Sequence, residues 1–231
     1  MRIVNQYTRA MPQLIDLSHE IEHGMTTYPG LPAPAISDHL GRAASRERYG
    51  GKAEFHIARI DMVANTGTYL DAPSHRFEWA PDIGQLPLEK IAFLPGVLVL
   101  LQQRALTADA LRDVDLRGRA LLVHTGWSRH WRTANYGATD APFVSREAAE
   151  YLAQSGVALV GIDSVNIDDM ADLSRPAHTI LLRSGIPVVE HLTNLEALAG
   201  KAFTFFAVPA PVRGVGTFPV RAFAVIPPPT P

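Results

Sequence analysis

The stretch "SREAAEYLAQSGVALVGID", from Ser145 to Asp163, contains the signals of a helix followed by a strand. Ser145 is a favourable N-cap residue, and Gly156 stands just past the predicted helix end, where glycine readily adopts a positive φ. The apolar run that follows, bounded by Gly and Asp, is typical of a buried strand. The stretch therefore predicts one helix that leads into one buried strand.

Similar signals recur on both sides of this stretch. Short apolar runs predict further buried strands at "GVLVLL", "ALLVHT", "PVVEHL" and "FTFFAVP". "TADALRDV", with Thr107 as N-cap, and "RPAHTILLRSG" predict two more helices. Strands that alternate with helices indicate an α/β fold. Since no segment has the composition of a linker, we expect residues 1–231 to form a single α/β domain.

The N-terminal third contains more loop signals. "MTTYPGLPAPAI", residues 25–36, contains three prolines, which oppose helix formation and predict an extended surface loop. "RERYGGKAEF", residues 46–55, is expected to be a mobile loop because paired glycines follow a charged run. "HIARIDMVAN", residues 56–65, alternates apolar and polar positions and predicts a strand.

The composition narrows the classes of function. The formal net charge is −2 and no long basic run occurs, which argues against nucleic acid or an anionic membrane as a partner. Because the chain has no cysteine, any metal must be held by His, Asp, Glu or neutral oxygen donors. The apolar runs are too short to cross a bilayer, and the first twenty residues lack the apolar core of a signal peptide. We therefore expect a cytoplasmic enzyme or binding protein for a small molecule.

The segment "NTGTYLDAPSHR", residues 65–76, places a carboxylate and an imidazole four residues apart, at Asp71 and His75. Pro73 prevents a regular helix here, so only a loop can bring the two side chains together. In a functional interpretation, Asp71 binds a metal or orients a histidine, and His75 is a general base. In a structural interpretation, Asp71 caps a turn and His75 is exposed. This segment alone favours neither.

A second group of polar residues follows two later strands. "PAHTILLRSGIPVVEHLTNLEAL" contains His178, before a predicted helix, and Glu190, at the end of a predicted strand. "GIDSVNIDD" places Asp163, Asn166 and Asp168 after another strand. Active sites of α/β domains gather at strand ends and on loops. We therefore expect His178 and Glu190 to meet at one edge of the sheet.

The order of these segments resembles the cyclase family, the kynurenine formamidase-like metal-dependent hydrolases. "NTGTYLDAPSHR" is similar to the family signature His-x-Gly-Thr-His-x-Asp-Ala-Pro-x-His, and "IDLSHEIEHGMTTYPGLP" resembles the opening strand and substrate loop. "TGW", "GIDSVNID", "HTILLRSGIPVVEHLTNLEAL" and "FPVRAFAV" resemble later blocks in the same order, so the similarity spans most of the chain. The resemblance implies a mixed central sheet of the swivelling β/β/α type and a homodimer or homotetramer.

The resemblance also implies roles for particular residues. Asp71, His178 and Glu190 correspond to metal ligands, and His75 to a proton acceptor. Three such ligands are enough for one zinc or manganese ion with an open position for water.

Two signature histidines are replaced in this chain, by Asn65 and Tyr69. An amide oxygen or a phenol is a much poorer donor to zinc than an imidazole, so we predict at most one divalent ion. The alternative is a metal-free pocket, in which Tyr69 and Asn65 donate hydrogen bonds to an oxyanion and His75 is the base.

Tyr28, in the proline-rich loop, is predicted to line the pocket, from this subunit or a neighbouring one, and to stack on a planar substrate. The resemblance implies hydrolysis of a non-peptide carbon–nitrogen bond, in an amide or a cyclic amide, with water attacking the carbonyl. Two alternatives stay open. One is a metal-free cyclase or lyase that uses acid–base catalysis, and the other is a non-catalytic ligand-binding member of the family.

Overall fold

A computed structural model describes residues 11–228 of the chain. It contains thirteen strands within those residues: β1 (Gln13–Asp16), β2 (Ala35–Leu40), β3 (Ile57–Asp61), β4 (Tyr69–Asp71), β5 (Leu94–Leu100), β6 (Ala105–Leu106), β7 (Ala120–His124), β8 (Phe143–Val144), β9 (Leu159–Ile162), β10 (Val188–Glu190), β11 (Thr204–Phe206), β12 (Thr217–Pro219) and β13 (Phe223–Ile226). The α-helices of this part of the chain are α1 (Arg42–Arg48), α2 (Arg146–Ser155) and α3 (Pro176–Arg183).

Nine of these strands form one mixed sheet in the order β1-β13-β11-β5-β7-β9-β10-β4-β12. The central strands β5, β7, β9 and β10 pair in parallel, whereas the strands at both ends pair antiparallel. Strands β2 and β3 form a separate ribbon, and β6 pairs with β8. The predicted α/β fold with a mixed central sheet is confirmed.

The central sheet is covered on both faces. Successive residues of a strand point to opposite faces, so Leu122 of β7 packs with Leu70 and Phe205 on one side, while Leu121 packs on the other. That second side carries α2 and α3, and Leu181 of α3 is fully buried there. A parallel sheet buried on both faces provides a rigid support for side chains at its strand ends.

Two of the three predicted helices are confirmed. In α2, Oγ of Ser145 accepts a hydrogen bond from Ala148 N at 3.2 Å, and Gly156 follows the helix with φ of 78°. The helix predicted with Thr107 as N-cap is wrong, because the segment forms only a 3-10 turn at Asp109–Leu111. A segment this short gains little from helical hydrogen bonds alone, and here the fully buried Leu111 anchors a single turn.

The loop predicted at residues 46–55 is partly wrong, because its first three residues form the end of α1. The chain leaves that helix at Tyr49 and turns through Gly50 and Gly51, which have φ of 59° and 75°. Oγ of the buried Ser45 accepts a hydrogen bond from Phe55 N at 2.8 Å, which fixes the return of the chain. Strand β3 is confirmed. No helix within residues 11–228 has the length and apolarity needed to span a membrane.

Candidate active site

Three neighbouring antiparallel strands place four polar side chains on one face of the sheet. Strand β4 lies between β10 and β12, and its Tyr69 is paired with Glu190 of β10. Its Asp71 is paired with Thr217 of β12. Because residues two apart in a strand share a face, the hydroxyls and carboxyls of all four residues meet. None of the four is more than 3% exposed.

A 3-10 turn at Pro73–His75 brings His75 back beside Asp71. The turn depends on a close approach between the chain at His75 and the chain at Gly216. A Cβ atom at Gly216 would lie 2.4 Å from Cα of His75, so no larger residue fits there without movement of the backbone. The proline therefore ends regular structure, as predicted, while the glycine allows the two segments to touch.

Asp71, Thr217 and His75 form a hydrogen-bonded network. The Thr217 hydroxyl donates a short hydrogen bond to Oδ1 of Asp71, and Nδ1 of His75 lies 2.8 Å from the same hydroxyl. Burial alone would raise the pKa of Asp71, but His75, His178 and the Thr217 donor together hold it below its usual value. With Asp71 ionised, Thr217 has no second hydrogen to give, so Nδ1–H of His75 donates to it. This leaves Nε2 of His75 free to accept a proton.

His178 lies at the start of α3, where Asp168 fixes its orientation. The Asp168 carboxylate accepts hydrogen bonds from Ala177 N at 2.5 Å, from His178 N at 3.2 Å and from His178 Nδ1 at 2.6 Å. Nε2 of His178 therefore points the other way, 3.5 Å from Oδ2 of Asp71 and 3.6 Å from Oε1 of Glu190. Burial opposes protonation of His178, but these carboxylates outweigh it and raise its pKa well above the usual value.

Glu190 is buried and accepts two hydrogen bonds. Oε1 accepts from Ile167 N at 2.6 Å, and Oε2 accepts from the Tyr69 hydroxyl at 2.7 Å. Burial raises the pKa of Glu190 to about 7; the charge of Asp71 adds to this rise, and His178 and the two donors oppose it.

The Tyr69 hydroxyl also forms a hydrogen-bond contact with His191, a buried residue that does not border the cavity described below. The hydroxyl lies 3.1 Å from Nε2 of His191, and Nδ1 of His191 lies 2.8 Å from the Tyr136 hydroxyl. Burial and the charges of Glu190 and Asp71 raise the pKa of Tyr69 well above its usual value. Burial, more than the neighbouring His19, lowers the pKa of His191 to about 3.

These groups border a cavity of about 340 Å³. Its wall contains the predicted residues Tyr28, Asn65, Tyr69, His75, His178 and Glu190, with Leu31, Arg76, Asn166 and Arg175. Asp71 does not itself border the cavity, but its carboxylate lies 3.8 Å from Nδ1 of His75 and 3.5 Å from Nε2 of His178, which do. The structure thus brings all seven predicted site residues to one place.

Two of the residues that contact the site do not stand out in the sequence. Thr217 and His191 were not singled out, although His191 directly follows Glu190. Asp163, in the same segment as Asn166 and Asp168, does not border the cavity. It accepts hydrogen bonds from Thr125 N at 2.6 Å and Gly126 N at 2.9 Å and so holds the turn after β7.

Within residues 11–228, one group of His, Asp and Glu side chains has the spacing of a metal site. The candidate ligand atoms of Asp71, His75 and His178 all lie within 4.8 Å of one another. The predicted third ligand, Glu190, is not part of that set. Oδ2 of Asp71 is buried and has no hydrogen-bond partner among the described residues. A buried carboxylate oxygen of this kind fits a cation, so the residues present suit one divalent ion.

Comparisons with known proteins agree with this geometry. The family model "Putative cyclase" matches residues 15–169, which is more than half of the chain. A kynurenine formamidase of Geobacillus thermodenitrificans is 28% identical over 209 residues, with 90% of this chain and 95% of the relative covered. One of Bordetella avium is 28% identical over 222 residues, with 92% and 97% covered.

Solved structures give the same picture of the fold. A potential metal-dependent hydrolase with cyclase activity superposes with a TM-score of 0.77 at 26% identity, over 94% of this chain and 100% of the other. Isatin hydrolase A of Labrenzia aggregata superposes with a TM-score of 0.80 at 20% identity, over 94% of each chain. The chain belongs to the cyclase family. The formamidase relatives agree with the predicted class of enzyme, a hydrolase of amide carbon–nitrogen bonds.

We expect the burial of His19 to cost the metal-free protein stability as the pH falls from about 6.5 towards 4. The His19 ring stacks on Trp131 at 4.0 Å, and burial, with Arg132, lowers its pKa to about 4. Unfolding restores the ordinary value and binds a proton, so acid favours the unfolded state. His19→Phe keeps a ring on Trp131 and should make the fall of Tm with pH shallower. The exposed His39→Phe is the control, and an unchanged slope in His19→Phe would contradict this origin.

Proposed function

We propose that the protein hydrolyses a non-peptide carbon–nitrogen bond in a planar amide or cyclic amide. The observation that carries the proposal is Oδ2 of Asp71, which is buried without a hydrogen-bond partner in the described chain and lies 3.5 Å from Nε2 of His178. A buried anionic oxygen is costly unless a cation or a donor compensates it. In the metal-free site the charge of His178 compensates Oδ2, and a divalent ion would take the place of that proton. A divalent ion beside a free imidazole and a cavity is the usual arrangement for activating water against a carbonyl.

The proposed ligands are those predicted, Asp71, His178 and Glu190, with one zinc or manganese ion. Asp168 supports this role, because a carboxylate on Nδ1 keeps Nε2 of a ligating histidine available and correctly aimed. When bound, such an ion polarises a carbonyl and lowers the pKa of water.

The remaining predicted residues have roles that do not require ligation. His75 is the proposed general base, since its Nε2 is free while Thr217 holds its Nδ1. Its ring is 35% exposed and borders the cavity, which gives a proton a path to solvent. Asn65, at the cavity wall, is placed to donate a hydrogen bond to a substrate carbonyl. Tyr69 holds Oε2 of Glu190 in the resting site.

Metal content distinguishes the roles of Glu190 and His75. We expect Glu190→Gln to weaken metal binding by more than the roughly 10–100-fold that loss of an outer partner costs, because it removes a charged ligand. His75→Gln should keep the metal and lose turnover, by about 10²–10⁴-fold for a missing base. Competition with a chromophoric chelator gives both affinities. If His75→Gln loses the ion and Glu190→Gln keeps it, the ligand set is Asp71, His75 and His178.

Tyr28 is the proposed contact for the planar part of the substrate, from the same subunit. It is half-buried and borders the cavity beside Leu31. We expect Tyr28→Ala to raise KM about 5-fold with kcat nearly unchanged, since a stacked ring contributes on the order of 1 kcal/mol of binding. Tyr28→Phe keeps the ring and should behave as wild type. Steady-state kinetics test this, and an unchanged KM in Tyr28→Ala would remove Tyr28 from the site.

The proposed reaction is tested by turnover of a carbonyl panel. The panel contains an N-formyl arylamine, a ring-fused cyclic amide and a dipeptide as the non-substrate, each with and without chelator. We expect hydrolysis of an aryl amide that chelation abolishes and added zinc or manganese restores. Turnover that survives chelation would favour acid–base catalysis by His75 and Tyr69. Binding without turnover would favour the non-catalytic member of the family.

The proposal includes three further predictions about the whole chain. Residues 1–231 are one domain, the protein assembles as a homodimer or homotetramer, and it acts in the cytoplasm on a small molecule. The isolated ribbon of β2 and β3 supports assembly, because every residue of β3 is exposed and Ile57 and Ile60 are apolar. Light scattering gives the number of subunits, and cell fractionation gives the location.

A further inference from the structure

Four side chains form a continuous hydrogen-bonded line from the interior to the cavity. In order they are Tyr136, His191, Tyr69 and Glu190, joined by contacts of 2.8, 3.1 and 2.7 Å. Each of the four is at most 4% exposed. Neither Tyr136 nor His191 borders the cavity, so both lie behind the groups to which roles are assigned above.

Counting hydrogens gives this line a direction. Glu190 must be ionised to bind a metal, and an ionised carboxylate only accepts, so the Tyr69 hydroxyl donates to Oε2 in that state. The phenol oxygen has then no hydrogen left for His191, and Nε2–H of His191 donates to it. His191 is fully buried without a carboxylate among its hydrogen-bond partners in the described residues and is therefore neutral. Its Nδ1 carries no hydrogen and accepts a hydrogen bond from the Tyr136 hydroxyl.

The backbone also fixes His191. Its φ is 57°, a left-handed conformation that is uncommon for any residue other than glycine. Its carbonyl accepts a hydrogen bond from the Thr68 hydroxyl at 2.5 Å, and its N–H donates to Ser164 O at 3.3 Å. Backbone strain of this kind persists where the surroundings hold it, and it is concentrated at functional sites.

We propose that His191, oriented by Tyr136, is a positioning residue that holds the Tyr69 hydroxyl on Oε2 of Glu190. This leaves Oε1, which lies 3.6 Å from Nε2 of His178, as the carboxylate oxygen that faces the metal position. A phenol that both accepts and donates is a stronger donor than an isolated one. The hydrogen-bonded line thus fixes the orientation of Glu190, as Asp168 fixes the orientation of His178. This inference rests on the proposed function.

Two conservative variants of His191 separate positioning from packing. In His191→Gln the amide nitrogen replaces Nε2 and can still donate to Tyr69, whereas in His191→Asn the shorter amide reaches only the position of Nδ1. We expect His191→Asn to weaken zinc or manganese binding by about 10–100-fold and to lower kcat more than it raises KM. His191→Gln should stay within a few-fold of wild type. Equal losses in both variants would indicate packing and overturn the proposal.

Tyr136→Phe is a second test in case a His191 variant does not fold. Without the Tyr136 donor, His191 can carry its hydrogen on Nδ1, and Nε2 then competes with Glu190 for the Tyr69 hydrogen. We expect a loss in metal affinity of the same sign as in His191→Asn. In a Tyr69→Phe background, neither change should have a further effect, because both act through that hydroxyl. Effects that multiply in this background would overturn the proposal.

A readout without metal or substrate separates this inference from the proposed function. In metal-free protein labelled with [ζ-¹³C]tyrosine, the Tyr69 signal is assigned as the one that Tyr69→Phe removes. We expect this signal to shift in His191→Asn and Tyr136→Phe and to match wild type in His191→Gln. No shift in either of the first two would overturn the proposed positioning. An inactive wild type with the expected shifts would overturn the proposed hydrolysis and leave the positioning intact.

Discussion

The Asp71→Asn variant is expected to lose about a thousandfold or more of kcat/KM, because the Asp71 carboxylate interacts with the proposed base, the proposed ligand His178 and the proposed metal ion. Its Oδ1 accepts from Thr217, which in turn holds His75, and its Oδ2 faces His178. The amide has the same size but lacks the charge that offsets a cation. Its nitrogen can also no longer accept a hydrogen bond.

Kinetics and metal content of folded Asp71→Asn test this expectation. The matched control is Asp163→Asn, because Asp163 is also fully buried and accepts several hydrogen bonds, but it lies outside the cavity. We expect the control to lower Tm by several degrees through its broken turn, while folded enzyme keeps its kcat. If Asp71→Asn keeps more than a tenth of the activity, Asp71 has no central role.

Restoring the two signature histidines should double the metal content. In the double variant Asn65→His/Tyr69→His, both imidazoles would stand at the wall of the cavity that contains Glu190. Tyr69 is paired with Glu190 across β4 and β10, so a histidine there replaces the phenol that now donates to Oε2. We expect one divalent ion per chain in wild type and two in the double variant, because imidazole nitrogen binds zinc far better than the amide or phenol oxygen now at these positions.

Elemental analysis of protein dialysed against zinc or manganese, without chelator, gives both numbers. Tyr69→Phe is the control, because it removes the hydroxyl from Glu190 without adding a ligand and should gain no ion. Two ions in wild type would contradict the account of the replaced histidines. One ion in the double variant would mean that the substitutions alone do not explain the single site.

The elements with strong local signals could be predicted from the sequence. Ser145, as N-cap, and Gly156, with its positive φ, mark the two ends of α2 in the sequence. The apolar runs of β5, β7 and β9 are long enough to be recognised as buried strands. The segment after Thr107 could not be predicted correctly, because the burial of Leu111 fixes only a single turn there. Local propensity does not include that tertiary contact.

The site could be predicted in part for a similar reason. Asp71, His178 and Glu190 follow from chemistry that is visible in short segments and from the family resemblance. Thr217 and His191 become part of the site through strand pairing and packing, which join residues 146 and 122 positions apart. Such pairings follow from the register of β4 with β10 and β12, and a single sequence does not specify that register.

The central claim is that this site hydrolyses an amide by attack of water on its carbonyl carbon. It is tested most directly by hydrolysis in H₂¹⁸O. The enzyme, loaded with zinc or manganese, is incubated with the N-formyl arylamine and with the ring-fused cyclic amide, and the products are analysed by mass spectrometry. We predict that the carboxylic acid released from at least one substrate carries one ¹⁸O atom and that folded Asp71→Asn gives none. Substrate consumed without label in the product, or no turnover of either amide, would contradict the claim.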